Sequence, residues 1–335
     1  MKARSLVFTS PSQVSIQEQS LPKMGEDQVL VQTIFSLISP GTEMLIYRGQ
    51  FPRGLADPND PFSSNLNYPL KFGYACVGKV IEVGKNVDPG WLDQRVFAFQ
   101  SHGSHFFASP ESLHLVPEGC PLERACFLAN METAVNLIQD AAPILGESAM
   151  VFGQGIVGLL TTALLAEFPL QATLTADRYP SRREVSLSLG ITASFDPVDE
   201  HFQQNVREIL PDGADLSLEL SGSPAALNAA IALAGFGGRI VVGSWYGGRP
   251  ATLDLGGTFH RSRLKLISSQ VSTIAASLSA RWNKARRFDT AWSALARVRP
   301  ERWITQRFRL EEADRAYRLL DQSPQDCIQI IFEYD

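Results

Sequence analysis

The stretch Ser148–Phe168, SAMVFGQGIVGLLTTALLAEF, admits few folds. A short apolar run stops at Gly153, and from Ile156 the chain is apolar around the whole circumference of a helix. Between the two runs stand Gly153, Gly155 and Gly158 in the spacing G-x-G-x-x-G. This pattern predicts a strand, a tight turn and a helix. The first glycine permits the turn, the second lets backbone approach a pyrophosphate, and the third allows close helix–strand packing. The start of the helix offers unbonded N–H groups and the positive end of its dipole to phosphate. Gly153, Gln154, Gly155, Ile156, Val157 and Gly158 are therefore the expected cofactor loop.

The same alternation continues downstream. ATLTAD precedes PSRREVSLSLG, ADLSLELSG precedes PAALNAAIALA, and GRIVVGSW and RLKLISSQ follow. Strands alternating with helices imply a doubly wound parallel sheet of the Rossmann kind, expected over residues 141–274. The first 140 residues have a different texture. QVLVQTIFSLISPG, YACVGKVIEVGKNV, RVFAFQSHGSHFFA and SLHLVPEG are short β-like runs broken by Gly and Pro, which predicts a twisted, barrel-like antiparallel domain. Residues 275–335 bring helical segments and a closing strand, CIQIIFEY, and are assigned to that first domain.

Composition narrows the function classes. A chain of 335 residues with 44% hydrophobic content suffices for two cores, and a formal charge of −5 leaves no electrostatic footprint for nucleic acid. The basic stretch Arg281–Arg287 reads as one solvated helix face. The N-terminus lacks the apolar run of a signal peptide, and no segment has the length of a membrane span. The four cysteines are scattered without a C-x-x-C pair, so disulfides and a Cys-rich zinc lobe are not expected. A soluble, cytoplasmic protein acting on a small molecule is expected, as a homodimer, with neither nucleic acid nor membrane as partner.

Asp177 ends the strand after the glycine loop, where a carboxylate accepts from both adenosine ribose hydroxyls and disfavours a 2′-phosphate. That favours NAD. Arg178, Arg182 and Arg183 follow at once, and guanidinium groups suit phosphate, so NADP remains open, with Arg178 and Arg182 placed to meet it. Ser221, Gly222, Gly243 and Ser244 end later parallel strands, where such sheets bind ligands. Ser269 and Gln270 follow the last strand and are placed to meet the nicotinamide carboxamide.

SPGTEMLIYRG, YPLKFGYACVGKVIEVG and GADLSLELSGSPAALNAAIALAGFGGRIVVGSW resemble successive segments of the medium-chain dehydrogenase/reductase superfamily across nearly the whole chain. ISPGTE, SHGSHF, NMETAVN and FHRSRLKLISSQV are similar, more narrowly, to the zinc-free branch typified by bacteriochlorophyllide a dehydrogenase. The resemblance implies a GroES-like first domain and an NAD(P)-dependent oxidoreductase that moves hydride between nicotinamide and a secondary alcohol or ketone. It also implies that zinc is lost. The family's ligand positions fall on Pro40, Leu45, Tyr74 and Ala129, and the structural-zinc lobe is replaced by FQSHGSHFF. Zn²⁺ needs Cys, His or carboxylate donors, which these positions lack.

Without a metal, hydrogen-bond donors must stabilise the substrate oxygen. By the same resemblance Thr42 matches a proton-relaying hydroxyl, Tyr74 stands at a ligand position with a phenol to donate, and Thr133 matches a nicotinamide contact. His102, which with His105 brackets the shortened lobe, and Glu132, near the lost acid ligand, complete the catalytic candidates: Tyr74, Thr42, His102 and Glu132. Two rival readings keep the scaffold and change the activity. One is an NADPH-dependent quinone or enoyl reductase; the other is a nucleotide-binding protein without turnover.

Overall fold

A computed structural model describes residues 1–51 and 66–335. The chain divides into two compact units, one of Met1–Ala129 with Leu295–Asp335, the other of Asn130–Ala294.

In the second unit six parallel strands lie in the order Ala193–Phe195, Ala172–Ala176, Ser148–Phe152, Ala214–Glu219, Ala234–Val242 and Lys265–Ser268. The first three run backwards in sequence and the last three forwards, so the order reverses between Ser148–Phe152 and Ala214–Glu219. This is the doubly wound arrangement, with its crevice at the carboxyl ends of those two strands. Ser148–Phe152 and Ala172–Ala176 are buried at every residue, as strands covered on both faces must be. Met150, Leu174 and Ile240 pack in one cluster with Phe202 and Leu227, while Val151, Leu216 and Val241 pack in another with Leu137 and Leu165. Every residue of the helix Ile156–Leu165 except Val157 is buried, which explains its apolar composition.

The first unit is built on the strand Val29–Leu37. One edge pairs with Cys76–Val83; along the other lie His105–Ala108, opposite residues 29–32, and Gln329–Glu333, opposite residues 35–37. Arg95–Ala98 and Leu113–Leu115 extend the sheet on one side and Ile304–Arg309 on the other. Lys2–Ser10 and Gln13–Ser20 form a separate hairpin. Gly78 and Gly84 allow the tightest approaches, since a Cβ would stand 2.2 Å from the Gln32 oxygen and 2.3 Å from the Glu26 oxygen. On the helix Ala313–Gln322, Ala313, Ala316, Tyr317 and Leu320 repeat at helical spacing and bury against Phe8 and Phe332.

The unit boundaries fall at 129/130 and 294/295, not at the expected 140 and 275. Within the second unit Glu132, Asn136 and Asp140 of the helix Leu128–Ala141 share one hydrogen-bond network with Ser269, Lys284 and Arg287. No helix among the described residues is long and apolar enough to cross a membrane.

Candidate functional site

The glycine loop is a cradle closed by its own backbone. Gly153 is at φ +91°, and a Cβ there would lie 2.7 Å from the Ser221 nitrogen and Cα. A Cβ on Gly158 would lie 1.9 Å from the Gly153 oxygen, so the third glycine lets the loop fold upon itself. Gly155 differs. Only an Arg182 guanidinium nitrogen, at 3.9 Å, is near its missing side chain, and the space above it is open. That opening, at the start of an uncapped helix, fits a pyrophosphate.

Asp177 is tied into this loop. One carboxylate oxygen accepts from the Gln154 N–H at 2.6 Å and the other from the Tyr179 N–H at 2.9 Å. Each oxygen keeps a further lone pair for a ribose hydroxyl. Arg178 and Arg182 lie over the Tyr179 ring, with the guanidinium carbons 5.8 and 4.8 Å from its centroid. Arg183 bonds the Asp177 carbonyl and Asp196. Gln154 corrects the loop reading. It is wholly buried, donating to the Gly153 oxygen and accepting from Thr162, so its side chain braces the cradle from beneath. Ile156 is likewise buried, and Val157 packs against the core.

Ser221, Gly222, Gly243 and Ser244 converge on a residue that the sequence reading passed over, Glu219. It is fully buried at the end of the strand Ala214–Glu219. One carboxylate oxygen accepts from the Ser221 N–H at 2.7 Å, the Ser221 hydroxyl at 2.6 Å and the Gly222 N–H at 3.1 Å; the other accepts from the Tyr246 hydroxyl at 2.6 Å. Ser244 accepts from the Gly222 N–H and donates to the Glu219 carbonyl. Burial, with the Glu219 bond and charge, pushes the Tyr246 phenol far up, so it stays a donor. An acid inside the apolar run LSLELSG was the available signal.

In the first unit Tyr74 and Thr42 come together. The Tyr74 hydroxyl donates to the Ser39 Oγ and also bonds the Thr42 side chain. Burial raises the Tyr74 phenol above its usual range, the Ser39 and Thr42 bonds pull it down, and the Glu43 charge pushes it up again. Tyr74 is thus a phenol that keeps its proton. Glu43, the acid of the Gly-Thr-acid motif, is wholly buried and forms the centre beneath them. It accepts from the Ser39 N–H at 2.8 Å, from the Tyr317 hydroxyl, and faces His102 Nε2 at 3.0 Å.

Two catalytic candidates have other surroundings. His102 is wholly buried, with Nδ1 2.7 Å from the Ser36 Oγ, which in turn is 2.8 Å from the Tyr334 hydroxyl. Its ring lies against Gly73, whose added Cβ would come within 2.8 Å of it. Both ring nitrogens are engaged and the side chain is wholly buried. Glu132 lies in the second unit, buried, and accepts from Lys284 and from Arg287 Nε at 3.1 Å. Its charge is committed to those cations. Thr133, on the same helix, is partly exposed, and Ser269 donates to Asp140 while accepting from Asn136. Gln270 is exposed and folds back on Ser272.

The metal positions hold no donors suited to zinc: Pro40, Leu45, Tyr74 and Ala129, of which Leu45 and Ala129 are buried apolar groups. Among the described residues no group of three or more His, Cys, Asp and Glu is arranged to hold a metal ion. The residues do not fit zinc.

Residues 157–289 match the zinc-binding dehydrogenase family. The chain is similar to L-threonine 3-dehydrogenase of Pyrococcus abyssi (strain GE5 / Orsay), 23% identical over 280 residues that cover 74% of this chain and 77% of the relative. It is 28% identical to the probable D-xylulose reductase A of Aspergillus terreus over 144 residues, a match spanning 41% of either chain. Its fold is similar to that of a short chain alcohol dehydrogenase from E. coli CFT073 solved with NADH, at TM-score 0.80 and 18% identity over 99% of both chains. The fold is that of the medium-chain alcohol dehydrogenases. The likeness to the zinc-binding-type dehydrogenases is carried in sequence by residues 157–289.

Proposed function

We propose that this chain is an NAD(P)-dependent oxidoreductase of the alcohol and polyol dehydrogenase kind that works without zinc. The observation that carries the reading is the cradle of Gly153, Gly155 and Gly158, open only above Gly155 and bordered by Asp177. Gly155 and the start of its helix would hold the pyrophosphate, Asp177 the adenosine ribose, and Ser221 to Ser244 the strand ends beyond. When bound, the dinucleotide supplies or accepts a hydride at nicotinamide C4. The relatives act, by their names, on L-threonine and D-xylulose, both bearing secondary alcohols or ketones, which supports that substrate class.

The residues at the former metal positions support the absence of zinc, and they assign its work to hydroxyls. Tyr74 is held protonated by burial and by the nearby Glu43 charge, so it offers a proton to a ketone oxygen. Thr42 and Ser39, bonded to that phenol, orient it. Glu43 holds Ser39 in place through its backbone N–H.

The test combines three measurements on untagged protein: NADH and NADPH binding by fluorescence, turnover with a panel of secondary alcohols, ketones, quinones and enones, and elemental analysis. The expected result is cofactor binding, turnover with alcohol–ketone pairs and no stoichiometric zinc. One zinc per chain, or turnover confined to quinones or enones, overturns the reading. Cofactor binding without any turnover returns the protein to the non-catalytic class.

A further inference from the structure

Arg287 is the largest side chain in the described structure that is entirely removed from solvent. A guanidinium in that setting must be paired and hydrogen-bonded, because a lone buried charge is far too costly. Its bonds have an unusual distribution. Nε donates to Glu132 at 3.1 Å and one terminal nitrogen to the Asn136 side chain at 2.5 Å, both on the helix Leu128–Ala141. The remaining bonds go to backbone: that same nitrogen donates to the Thr273 carbonyl at 3.1 Å, and the other to the Val271 carbonyl. Lys284, one turn earlier on the helix Lys284–Val298, reaches the same two targets, Glu132 and the Val271 carbonyl.

The segment held this way, Ser269–Thr273, is the chain leaving the carboxyl end of the sixth parallel strand, Lys265–Ser268. Its beginning is fastened by the same network, for Ser269 donates to Asp140 at 2.7 Å and accepts from Asn136 at 2.9 Å. Asn136 therefore joins both ends, receiving Arg287 on its oxygen and bonding Ser269 and Asp140 through its nitrogen. In a doubly wound sheet, ligands lie outside the carboxyl ends of the strands, with one mononucleotide over each half. Ser269–Thr273 borders the half formed by the fourth, fifth and sixth strands, whereas Asp177 and the glycine loop border the other.

We infer that Arg287, with Glu132 and Asn136, is a positioning residue for the nicotinamide half of the cofactor, acting through the Val271 and Thr273 carbonyls. The inference rests on the dinucleotide-binding reading above. Arg287 touches no ligand itself; it fixes the backbone against which the nicotinamide mononucleotide half settles. Its removal should thus weaken one half of the dinucleotide and spare the other.

The experiment measures the affinities of NADH and of ADP-ribose, which lacks nicotinamide, for the wild-type chain and for Arg287→Met. The expected result is about a tenfold or greater loss for NADH, the scale of one charge-assisted hydrogen bond, with ADP-ribose unchanged. The double variant Glu132→Gln, Arg287→Met leaves no buried unpaired charge and gives the same ratio if the single variant does not fold. Arg287→Lys keeps the charge but has no fork to span both carbonyls, and should move the ratio in the same direction. Equal losses for both ligands, or no loss, in a folded variant overturn the inference alone. A wild-type chain that binds neither ligand overturns the dinucleotide reading and this inference with it.

Discussion

Glu43 and His102, 59 residues apart in sequence, meet at 3.0 Å with neither side chain exposed to solvent. His102 Nδ1 faces the Ser36 Oγ, which meets the Tyr334 hydroxyl, while Nε2 faces the Glu43 carboxylate, so these four side chains form one continuous hydrogen-bonded chain. Tyr317 and the Ser39 N–H complete the shell of the carboxylate. Removing one partner strands the others. Glu43→Leu and His102→Leu should each cost roughly 3–5 kcal/mol, the range for breaking a buried pair, in urea unfolding of the purified chain. A loss under about 1 kcal/mol would place the pair among interactions that contribute little.

The same cluster predicts an alkaline limit to stability. Burial pushes the Tyr317 and Tyr334 phenols well above the usual value, and the nearby Glu43 charge acts the same way on both. A phenol in the unfolded chain ionises near pH 10, below its folded value. Stability is therefore complete below about pH 10 and falls as the pH rises through the folded pKa values. Denaturation midpoints between pH 8 and about 11.5 should show this decline, and Tyr334→Phe should make it shallower.

Gly155 and Gly158 should separate binding from folding. Gly158→Ala puts a Cβ 1.9 Å from the Gly153 oxygen and should lower the melting temperature. Gly155→Ala meets no protein atom closer than 3.9 Å and should melt like the wild type, yet lose most of its NADH affinity because the methyl fills the phosphate space. Full NADH affinity in Gly155→Ala would place the phosphates elsewhere.

Asp177 tests the choice of cofactor. Replacing it by Ser removes the charge that repels a 2′-phosphate, with Arg178 and Arg182 close by. The NADH over NADPH preference should shift by roughly 1.5–3 kcal/mol, about one to two powers of ten in the affinity ratio. Because Asp177 also holds the Gln154 and Tyr179 N–H groups, Asp177→Asn is the control for loop geometry.

Tyr74→Phe should lower kcat by about 10²–10³ while leaving NADH affinity intact, since the ring still packs against Phe72. Its raised phenol sets the sign of the pH effect. The donating form persists above the ordinary phenol value, so wild-type turnover should not decline through loss of this proton below about pH 10. A variant with unchanged kcat would move the proton path to Thr42.

The glycine cradle was legible because its determinants are local: glycine spacing, a preceding apolar run and a following apolar helix fall within 21 consecutive residues, Ser148–Phe168. Direction was less legible than position. The loop pattern marks Gln154 as part of the cradle, yet its side chain turns inward to Thr162. The polar clusters were hardest to see. Glu132 meets Arg287 across 155 residues and Glu43 meets Tyr317 across 274, and no periodicity relates such partners. Buried acids with distant cations or phenols read, in sequence, like the surface charges around them. His102 stood in a run of small and polar residues that suggests a loop, and only the left-handed Gly73 opens the space that its ring fills.

The strand Val29–Leu37 pairs with Gln329–Glu333, near opposite ends of the chain, while the second unit is one uninterrupted stretch, Asn130–Ala294. An order of assembly follows during synthesis. The parallel sheet has all its strands once residue 268 has left the ribosome, but the first unit lacks an inner strand until residue 333 has followed. Its early half must wait with the edge of residues 35–37 unpaired, an invitation to the wrong partner. A released fragment ending near residue 300 should accordingly protect the second unit from protease while the first remains open to cleavage.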